Sequence, residues 1–222
     1  MTTVNSNVFN PELNAEKAYL FRIVHVANVA WILEHGGLHC RDDSEQDPKY
    51  VNIGNTDLIS KRARREVPIA PGGTLSEYVP FYFTPFSMMM YNIKTGYGSI
   101  TRRDNQDIVM FISSVHRLRE LALPFIFTNQ HAYPLDTMFY DGSEDLEHID
   151  WELLQRRDFK TSDADPGKQQ RCQAEALVHR HVPLKALLGI VCYNESIGRD
   201  IEALIRQCRV ETTVRIFPKW YF

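Results

Sequence analysis

The sequence predicts a single α+β domain. Short apolar segments of strand length alternate irregularly with short helical segments, which differs from the regular βαβ alternation of a parallel sheet. The chain has 222 residues, a length that suits one domain of about 200 residues. Its 44% hydrophobic and 11% aromatic content supports a core and argues against global disorder. Residues 1–18 are polar and predict a loose arm, so the domain is expected to span 19–222.

The first elements are a strand and a short helix. Residues 20–26 (LFRIVHV) are apolar and β-branched, which favours a strand. Asn28 can cap a helix that runs through Glu34. Gly36 and Gly37 would end this helix, because glycine adopts the left-handed backbone that terminates helices.

A polar loop and an aromatic strand follow. Residues 39–54 predict a long loop, and Asn55 can cap a second helix. Residues 68–73 (PIAPGG) form a rigid turn. Residues 78–84 (YVPFYFT) predict an aromatic strand with an irregularity at Pro80, and a Met-rich turn comes next.

The same signals place the remaining elements. Buried apolar runs predict strands, and Ser or acidic residues before amphipathic runs predict helices. In chain order we expect a strand at 107–113, a helix at 114–122, a strand at 123–128, a helix at 151–155, a strand beginning at 173–178, a strand at 188–193, a helix at 196–206 and a strand at 210–217.

The composition and the absence of certain motifs exclude several classes of protein and of binding site. A net charge of −3 does not indicate a general nucleic-acid binder. The cysteines form no Cys-x-x-Cys pair, and His179 and His181, expected on one face of a strand, have no partner at metal-ligand spacing. No segment has the length of a signal peptide core or a membrane span, and there is no GxGxxG or P-loop. We therefore predict a reduced, cytoplasmic protein without a metal.

The most informative motif is Gln173-Ala-Glu175. It lies where the polar loop 163–170 gives way to an apolar strand, so the carboxylate can be aimed rigidly into a cleft. Gln-x-Glu at such a junction resembles the turn with which mono-ADP-ribosyltransferases grip the nicotinamide ribose of NAD. A single carboxylate suffices there, because the nicotinamide leaving group of NAD is already cationic. The alternative is a glutamate at a strand start that pairs with Arg171.

Three other segments could carry chemistry. His25, at a strand end, could bind a ribose hydroxyl, although a core histidine is the commoner case. Helical spacing puts Arg62 and Arg65 on one face; such a charge run is usually solvated, but one arginine could face pyrophosphate or a base. Residues 78–91 could be core or could form a cleft wall that stacks on a ring.

These segments occur together in a recognisable order. They are 22–28 (RIVHVAN), 31–38 (WILEHGGL), 52–54, 62–68, 71–83 (PGGTLSEYVPFYF), 127–132, 149–151 and 173–178 (QAEALV). Jointly they resemble the DarT family of bacterial DNA ADP-ribosyltransferase toxins, nearest the branch that modifies thymidine, over about residues 20 to 193. The resemblance implies an ADP-ribosyltransferase-like fold with a split central β-sheet and flanking short helices.

The resemblance also implies roles for individual residues. Glu175 would be the catalytic glutamate. Arg62 would be the arginine between NAD and the target base that helps to remove the thymine ring proton. Because the pKa of arginine is above about 12, we interpret Arg62 as an electrostatic stabiliser of the deprotonating base. NAD binding is assigned to His25, Val26, Asn28, Arg41 and Gln173. Nucleotide binding is assigned to Arg65, Tyr82, Ser87, Met88, His131 and Arg171.

The implied reaction is transfer of ADP-ribose from NAD to a base, thymidine, of single-stranded DNA. Single strands are favoured because an unstacked base must reach the cleft. Such a toxin needs a macrodomain antitoxin as a partner, and no membrane partner is expected. The chain departs from the family at 86–89 (FSMM), at 129–131 (NQH) and at Ala176, all on the expected substrate side. DNA backbone contacts are assigned to Lys61, Arg64, Arg65, Arg102, Arg103, Arg156 and Arg157.

Two alternatives stay open at this point. The same fold could transfer ADP-ribose to guanosine, RNA, protein or a small molecule. The chain could also be a catalytically silent nucleic-acid-binding module, against which the presence of Arg62, Gln173 and Glu175 argues.

Overall fold

The computed structural model describes residues 12–160 and 162–222. The strands are β1 (Tyr19–His25), β2 (Gly37–His39), β3 (Tyr78–Tyr82), β4 (Ile108–Ser114), β5 (Phe125–Thr128), β6 (Phe139–Tyr140), β7 (Glu175–His179), β8 (His181–Pro183), β9 (Gly189–Cys192) and β10 (Val214–Ile216). The helices are α1 (Val29–Glu34), α2 (Thr56–Arg62), α3 (Met88–Thr95), α4 (Val115–Glu120), α5 (Trp151–Arg156), α6 (Lys168–Arg171) and α7 (Glu195–Cys208).

Most strands belong to one mixed sheet. Within the described ranges it has eight strands in the order β10-β9-β4-β1-β3-β7-β5-β6. β9 and β10 are parallel, and the other neighbours are antiparallel. β4 is buried along its whole length, as expected for a central strand covered on both faces. The predicted α+β class is confirmed.

The sheet is split at its centre. β1 pairs with β4 along seven residues, and β3 pairs with β7 along five. Between β1 and β3, however, the register contains the single pair Phe21 and Tyr82. Pro80, two residues before Tyr82, has no N–H to give to β1. The strands therefore separate on the Pro80 side of this pair, and the gap between them positions the cavity described below.

A small second sheet closes one end of the gap. β2 and β8 pair antiparallel, with Gly37 opposite Pro183. Gly37 has φ of +147°, and a Cβ at this position would lie 2.0 Å from the Val182 carbonyl oxygen. Only glycine allows the two backbones to approach so closely. Sequence periodicity did not predict this sheet, because its strands are three residues long.

Two local predictions were wrong. The Asn28 side chain does not cap α1. Its amide instead exchanges two hydrogen bonds with the backbone of Val51, and two bonds to a loop compete well with one cap. The Met-rich turn is the helix α3, because Ser87 accepts a hydrogen bond from the Met90 N–H and Gly96 ends the helix.

Two other predictions need correction at the ends of elements. Residues 1–11 of the predicted arm lie outside the described residues, but Leu13 and Ala18 are buried in the core, so residues 12–18 are not loose. Arg180 has φ of +62°, and this left-handed residue interrupts the extended backbone between β7 and β8. His179 and His181 therefore belong to different strands and do not share one face.

α7 covers the β9–β10 edge of the sheet. Its buried face, with Gly198, Ile201 and Ile205, packs on α1, β9 and β10. A Cβ at Gly198 would lie 2.6 Å from the Ile216 side chain, so helix and strand meet at short range. Among the described residues, no helix combines the length and the apolar character needed to cross a membrane.

Candidate active site

Glu175 is the first residue of β7 and is buried, with 1% of its surface exposed. It lies directly opposite Tyr82 of β3. The hydroxyl of Thr128, at the end of β5, accepts a hydrogen bond from the Glu175 backbone N–H at 3.3 Å. The same hydroxyl donates to the Gln130 carbonyl at 2.6 Å. The carboxylate is thus fixed at a strand start, as the sequence predicted.

Arg62 is supplied by the last turn of α2. Asn55 caps this helix, and its side-chain oxygen accepts from the Leu58 N–H at 2.9 Å. The predicted face separation holds: Arg62 and Arg65 are partly buried, while Lys61 and Arg64 are exposed. The short capped helix therefore points a single arginine towards the start of β7.

Arg62 and Glu175 form a two-pronged ion pair. Arg62 Nη1 donates to Glu175 Oε1 at 2.8 Å, and Nη2 donates to Oε2 at 2.7 Å. The Ala132 N–H adds a third donor to Oε1 at 3.1 Å. Oε2 receives one donor among the described residues, so it keeps a lone pair for a further hydroxyl. The sequence-based alternative, a pair between Glu175 and Arg171, is not formed.

His131 completes the cluster. Its Nε2 lies 3.2 Å from Arg62 Nη1. An arginine N–H can only donate, so Nε2 is the acceptor and the proton of the neutral ring is on Nδ1. The loop that carries His131 is held by its own bonds: Thr137 Oγ1 donates to the His131 carbonyl at 2.7 Å, and the His131 N–H donates to the Gln170 carbonyl at 3.0 Å.

The surroundings set the charges of these groups. Burial raises the pKa of Glu175, but the charge of Arg62 and the hydrogen bonds that Arg62 and Ala132 donate outweigh it, and the net pKa is lowered. Burial lowers the pKa of His131, with a further contribution from Arg62 that opposes the pull of Glu175. Burial raises the pKa of Tyr82. At neutral pH the site therefore holds a carboxylate, a guanidinium, a neutral imidazole and a neutral phenol.

The cluster forms one wall of a cavity of about 460 Å³. The cavity follows the gap between β1 and β3, with α2 on its other side, and its volume lies in the usual range for a ligand site. Three arginines line it, and Glu175 is the one carboxylate among its described lining residues. An anionic ligand suits this charge balance. The residues of the predicted site that line it are Arg41, Arg62, Tyr82, His131 and Glu175.

Other predicted NAD-binding residues lie outside this lining. His25 Nδ1 accepts from the Ala27 N–H at 3.1 Å, at the end of β1. Val26 and Asn28 follow in the next turn. The Gln173 amide donates to the Gln169 carbonyl at 3.0 Å. These residues therefore lie at or just after the end of β1 and, for Gln173, two residues before the start of β7.

The predicted nucleotide-binding residues are also dispersed. Arg171 donates to Asp165 at 3.0 and 2.7 Å and to Asp150 at 3.0 Å, and its hydrogen bonds to Asp165 raise its pKa. Arg65 Nη2 donates to the Pro134 carbonyl at 3.4 Å. Ser87 and Met88 begin α3, outside the cavity lining.

Sequence reasoning missed three contributors. Met89, not Met88, lines the cavity, where the Tyr82 hydroxyl lies 3.5 Å from its sulfur. Thr128 holds the backbone of Glu175, and Arg22 lines the cavity from β1. Arg22 gave a usable signal, since it is a lone cation inside the apolar strand. Within residues 12–160 and 162–222, no group of three or more metal-ligating side chains occurs.

Comparisons with known proteins identify the family of this chain. Residues 21–222 match the family model described as DarT, ssDNA thymidine ADP-ribosyltransferase. The chain belongs to the DarT family. A DNA ADP-ribosyl transferase of Escherichia coli O127:H6 is 44% identical over 214 residues, covering 96% of this chain and 98% of that protein. DNA ADP-ribosyltransferase is accordingly the enzyme class of this chain, and NAD is its substrate.

Solved DarT structures have the same fold. Thermus sp. 2.9 DarT in complex with ADP-ribosylated ssDNA superposes with a TM-score of 0.86 at 30% identity, covering 93% of this chain and 97% of that one. Thermus sp. 2.9 DarT in complex with NAD+ superposes with a TM-score of 0.82 at 28% identity, covering 93% and 98%. The predicted ADP-ribosyltransferase-like fold is confirmed.

Proposed function

We propose that this DarT-family enzyme transfers ADP-ribose from NAD to the N3 atom of thymidine in single-stranded DNA, with Glu175 and Arg62 as its catalytic residues. The observation that carries the proposal is the buried pair at the cavity wall, in which Glu175 stays ionised beside Arg62. N3–H is the one ring N–H of thymidine. Nicotinamide and one proton are the other products, so the reaction balances.

Glu175 acts on the ribose. Its Oε2 has room for one more donor, and we assign that position to a hydroxyl of the nicotinamide ribose. A buried carboxylate that accepts a hydrogen bond from the ribose stabilises the positive charge that the sugar develops as the bond to nicotinamide breaks. Arg62 and Ala132 hold the carboxylate in place, so little reorganisation accompanies the reaction.

Arg62 acts on the base. Burial lowers its pKa, but the charge of Glu175 and their hydrogen bonds raise the net value, so the guanidinium stays protonated and is a poor proton acceptor. Its charge stabilises the anionic thymine ring that forms as N3–H is lost. His131 and Tyr82, neutral and beside the pair, are assigned to contact the nucleotide.

We propose a toxin role with a macrodomain antitoxin. ADP-ribose on N3 removes a Watson–Crick donor from thymidine, so a cell that makes the enzyme needs a partner that removes the mark. We also propose the cytoplasm as its location. All four cysteines are unpaired, which suits a reducing compartment. Co-expression with a macrodomain hydrolase should restore growth to cells producing the wild-type enzyme, and an inactive hydrolase should not.

The central test uses labelled NAD and thymidine-containing single-stranded oligonucleotides. The wild type should label the oligonucleotide, and Glu175→Gln should lower the rate on the order of a hundredfold or more. An oligonucleotide whose thymidines carry N3-methyl groups is the matched control and should take no label. Label that appears on the methylated strand would contradict N3 transfer, and label on RNA or protein alone would move the target elsewhere.

A further inference from the structure

Arg22 is a partly buried cation that the catalytic proposal does not use. It lies on β1 between the buried residues Phe21 and Ile23 and lines the cavity. Its Nη1 donates to the Pro80 carbonyl at 3.3 Å. Its Nε is shielded from solvent and has no partner among the described residues. A cation that is partly removed from water is stabilised by a nearby negative charge, so the position of Arg22 in the lining suits an anionic ligand.

The position of Arg22 along the cavity narrows the choice of ligand. Pro80, which Arg22 contacts, is the middle residue of β3. At one end of β3, Tyr82 lies opposite Glu175, and at the other end Tyr78 lies opposite His179, beside the small β2–β8 sheet. His39 and Arg41, at and after the end of β2, line the cavity there. Arg22 is therefore midway between the catalytic wall and the far end.

We propose that Arg22 binds a phosphate oxygen of the NAD diphosphate. The inference rests on the proposed placement of the nicotinamide ribose at Glu175. With the ribose at that wall, the diphosphate is the next part of NAD along the cavity, and it carries the anionic charge of the molecule. A guanidinium donates charge-assisted hydrogen bonds to phosphate oxygens, and Arg22 brings a guanidinium to the cavity lining.

The test measures binding separately from catalysis. Carba-NAD+, whose bond to nicotinamide is not cleaved, is titrated by calorimetry into wild type, Arg22→Gln and Arg22→Lys. We expect Arg22→Gln to raise the dissociation constant about ten- to a hundredfold, the range of a lost charge-assisted hydrogen bond. Arg22→Lys should be intermediate, because an ammonium is a point charge. The KM for NAD should rise in parallel while kcat changes little.

Arg215→Gln is the matched control, because Arg215 is an exposed arginine on β10, at the edge of the same sheet. It should bind carba-NAD+ like the wild type. Urea unfolding of each variant measures any structural contribution of the contact with Pro80. If Arg22→Gln does not fold, Arg22→Lys carries the comparison, with weaker carba-NAD+ binding still expected.

A second arm distinguishes the two sources of phosphate. Fluorescence anisotropy with a thymidine-containing oligonucleotide should give equal DNA affinity for wild type and Arg22→Gln. Weaker DNA binding with unchanged carba-NAD+ binding would assign Arg22 to the DNA backbone and overturn the inference. Unchanged binding of both, by a wild type that labels DNA, would also overturn it and leave the proposed function standing. A wild type that neither binds carba-NAD+ nor labels DNA would overturn both.

Discussion

At the residue scale, the properties of the site come from one pair of charges. Glu175 has 2% of its side chain exposed and Arg62 has 14%, so neither charge is well solvated by water. Two charges in this position are stable only with good geometry and further donors. The two parallel N–H···O bonds and the Ala132 N–H provide both. Each buried charge is therefore stable in the folded protein only when the other is present.

Removing one partner should cost more than removing both. We expect Arg62→Met to lower the free energy of unfolding by roughly 3 to 5 kcal/mol, since it leaves a buried, unpaired carboxylate. Adding Glu175→Gln should restore much of this loss, because the glutamine carries no charge. Urea unfolding of the four proteins gives the coupling energy. Arg64→Met is the control, because it changes an exposed arginine of the same segment, and it should change stability little. If the double variant is no more stable than Arg62→Met, an unpaired buried carboxylate is not the cause of the loss.

His131 should make stability depend on pH. Its pKa is lowered in the folded protein, chiefly by burial, whereas the unfolded chain has the ordinary value of about 6.5. As the pH falls below about 6.5, the unfolded state takes up the proton first. The stabilising contribution is complete above that pH and is lost towards the folded pKa.

His131→Asn should therefore flatten the decline of unfolding free energy between about pH 7 and pH 5. Urea unfolding in small pH steps measures this slope. His148→Asn is the control, because the His148 side chain is 46% exposed, and it should follow the wild type. Parallel curves for wild type and His131→Asn would show that His131 is not held neutral.

At the element scale, short elements position the pair. α2 has seven residues, too few for stability on its own, so its cap and its packing decide where Arg62 lies. On the opposite side, Thr128 joins the end of β5 to the start of β7 and to the loop that carries His131. The two halves of the ion pair are held by separate local structures, and either one can be disturbed alone.

Caps on two helices give a matched comparison. Asn55→Ala and Ser114→Ala each remove a side-chain cap, from α2 and α4, and each should cost about 1 kcal/mol. Only Asn55→Ala should also slow DNA labelling, on the order of tenfold, because α2 carries Arg62 and small displacements are costly to catalysis. Asn55→Asp, which can still cap, should recover most of the rate. Equal rates for the two alanine variants would separate the cap from catalysis.

At the scale of the whole molecule, charge is distributed unevenly. The net charge is −3, yet two exposed cations, Lys61 near the end of α2 and Arg64 just after it, neighbour residues of the cavity lining, and Arg22 and Arg62 belong to that lining. The separation of β1 from β3 lets one molecule expose a cationic cleft while remaining acidic overall. We expect a modest, salt-sensitive affinity for DNA from this arrangement.

The salt dependence of DNA binding should report the contacts on α2. For the double variant Lys61→Gln and Arg64→Gln, the slope of log K against log salt should become shallower by about 0.7 for each lost phosphate contact. Fluorescence anisotropy from low to physiological salt measures the slope. Arg206→Gln, an exposed change on α7, should leave it unchanged. An unaltered slope in the double variant would show that Lys61 and Arg64 do not contact DNA phosphates.

Local sequence signals predicted much of the architecture. The apolar runs gave β1, β4, β5 and β9, the Asn55 cap gave α2, and the Gln-x-Glu junction gave the first residue of β7. The same junction indicated Glu175, whereas the family resemblance, and no local signal, selected Arg62 among the neighbouring arginines. Strand period, helix caps and turn residues act between near neighbours in the chain, so a linear sequence contains them.

Only the tertiary structure decided which side chains meet. Arg62 and Glu175 are 113 residues apart, Arg171 is held by Asp150 and Asp165 instead of Glu175, and Arg22 faces the gap in the sheet. These outcomes depend on strand register and on how loops pack across the split between β1 and β3. Register and packing are set by many weak contacts between distant segments, and no local pattern in the sequence encodes them.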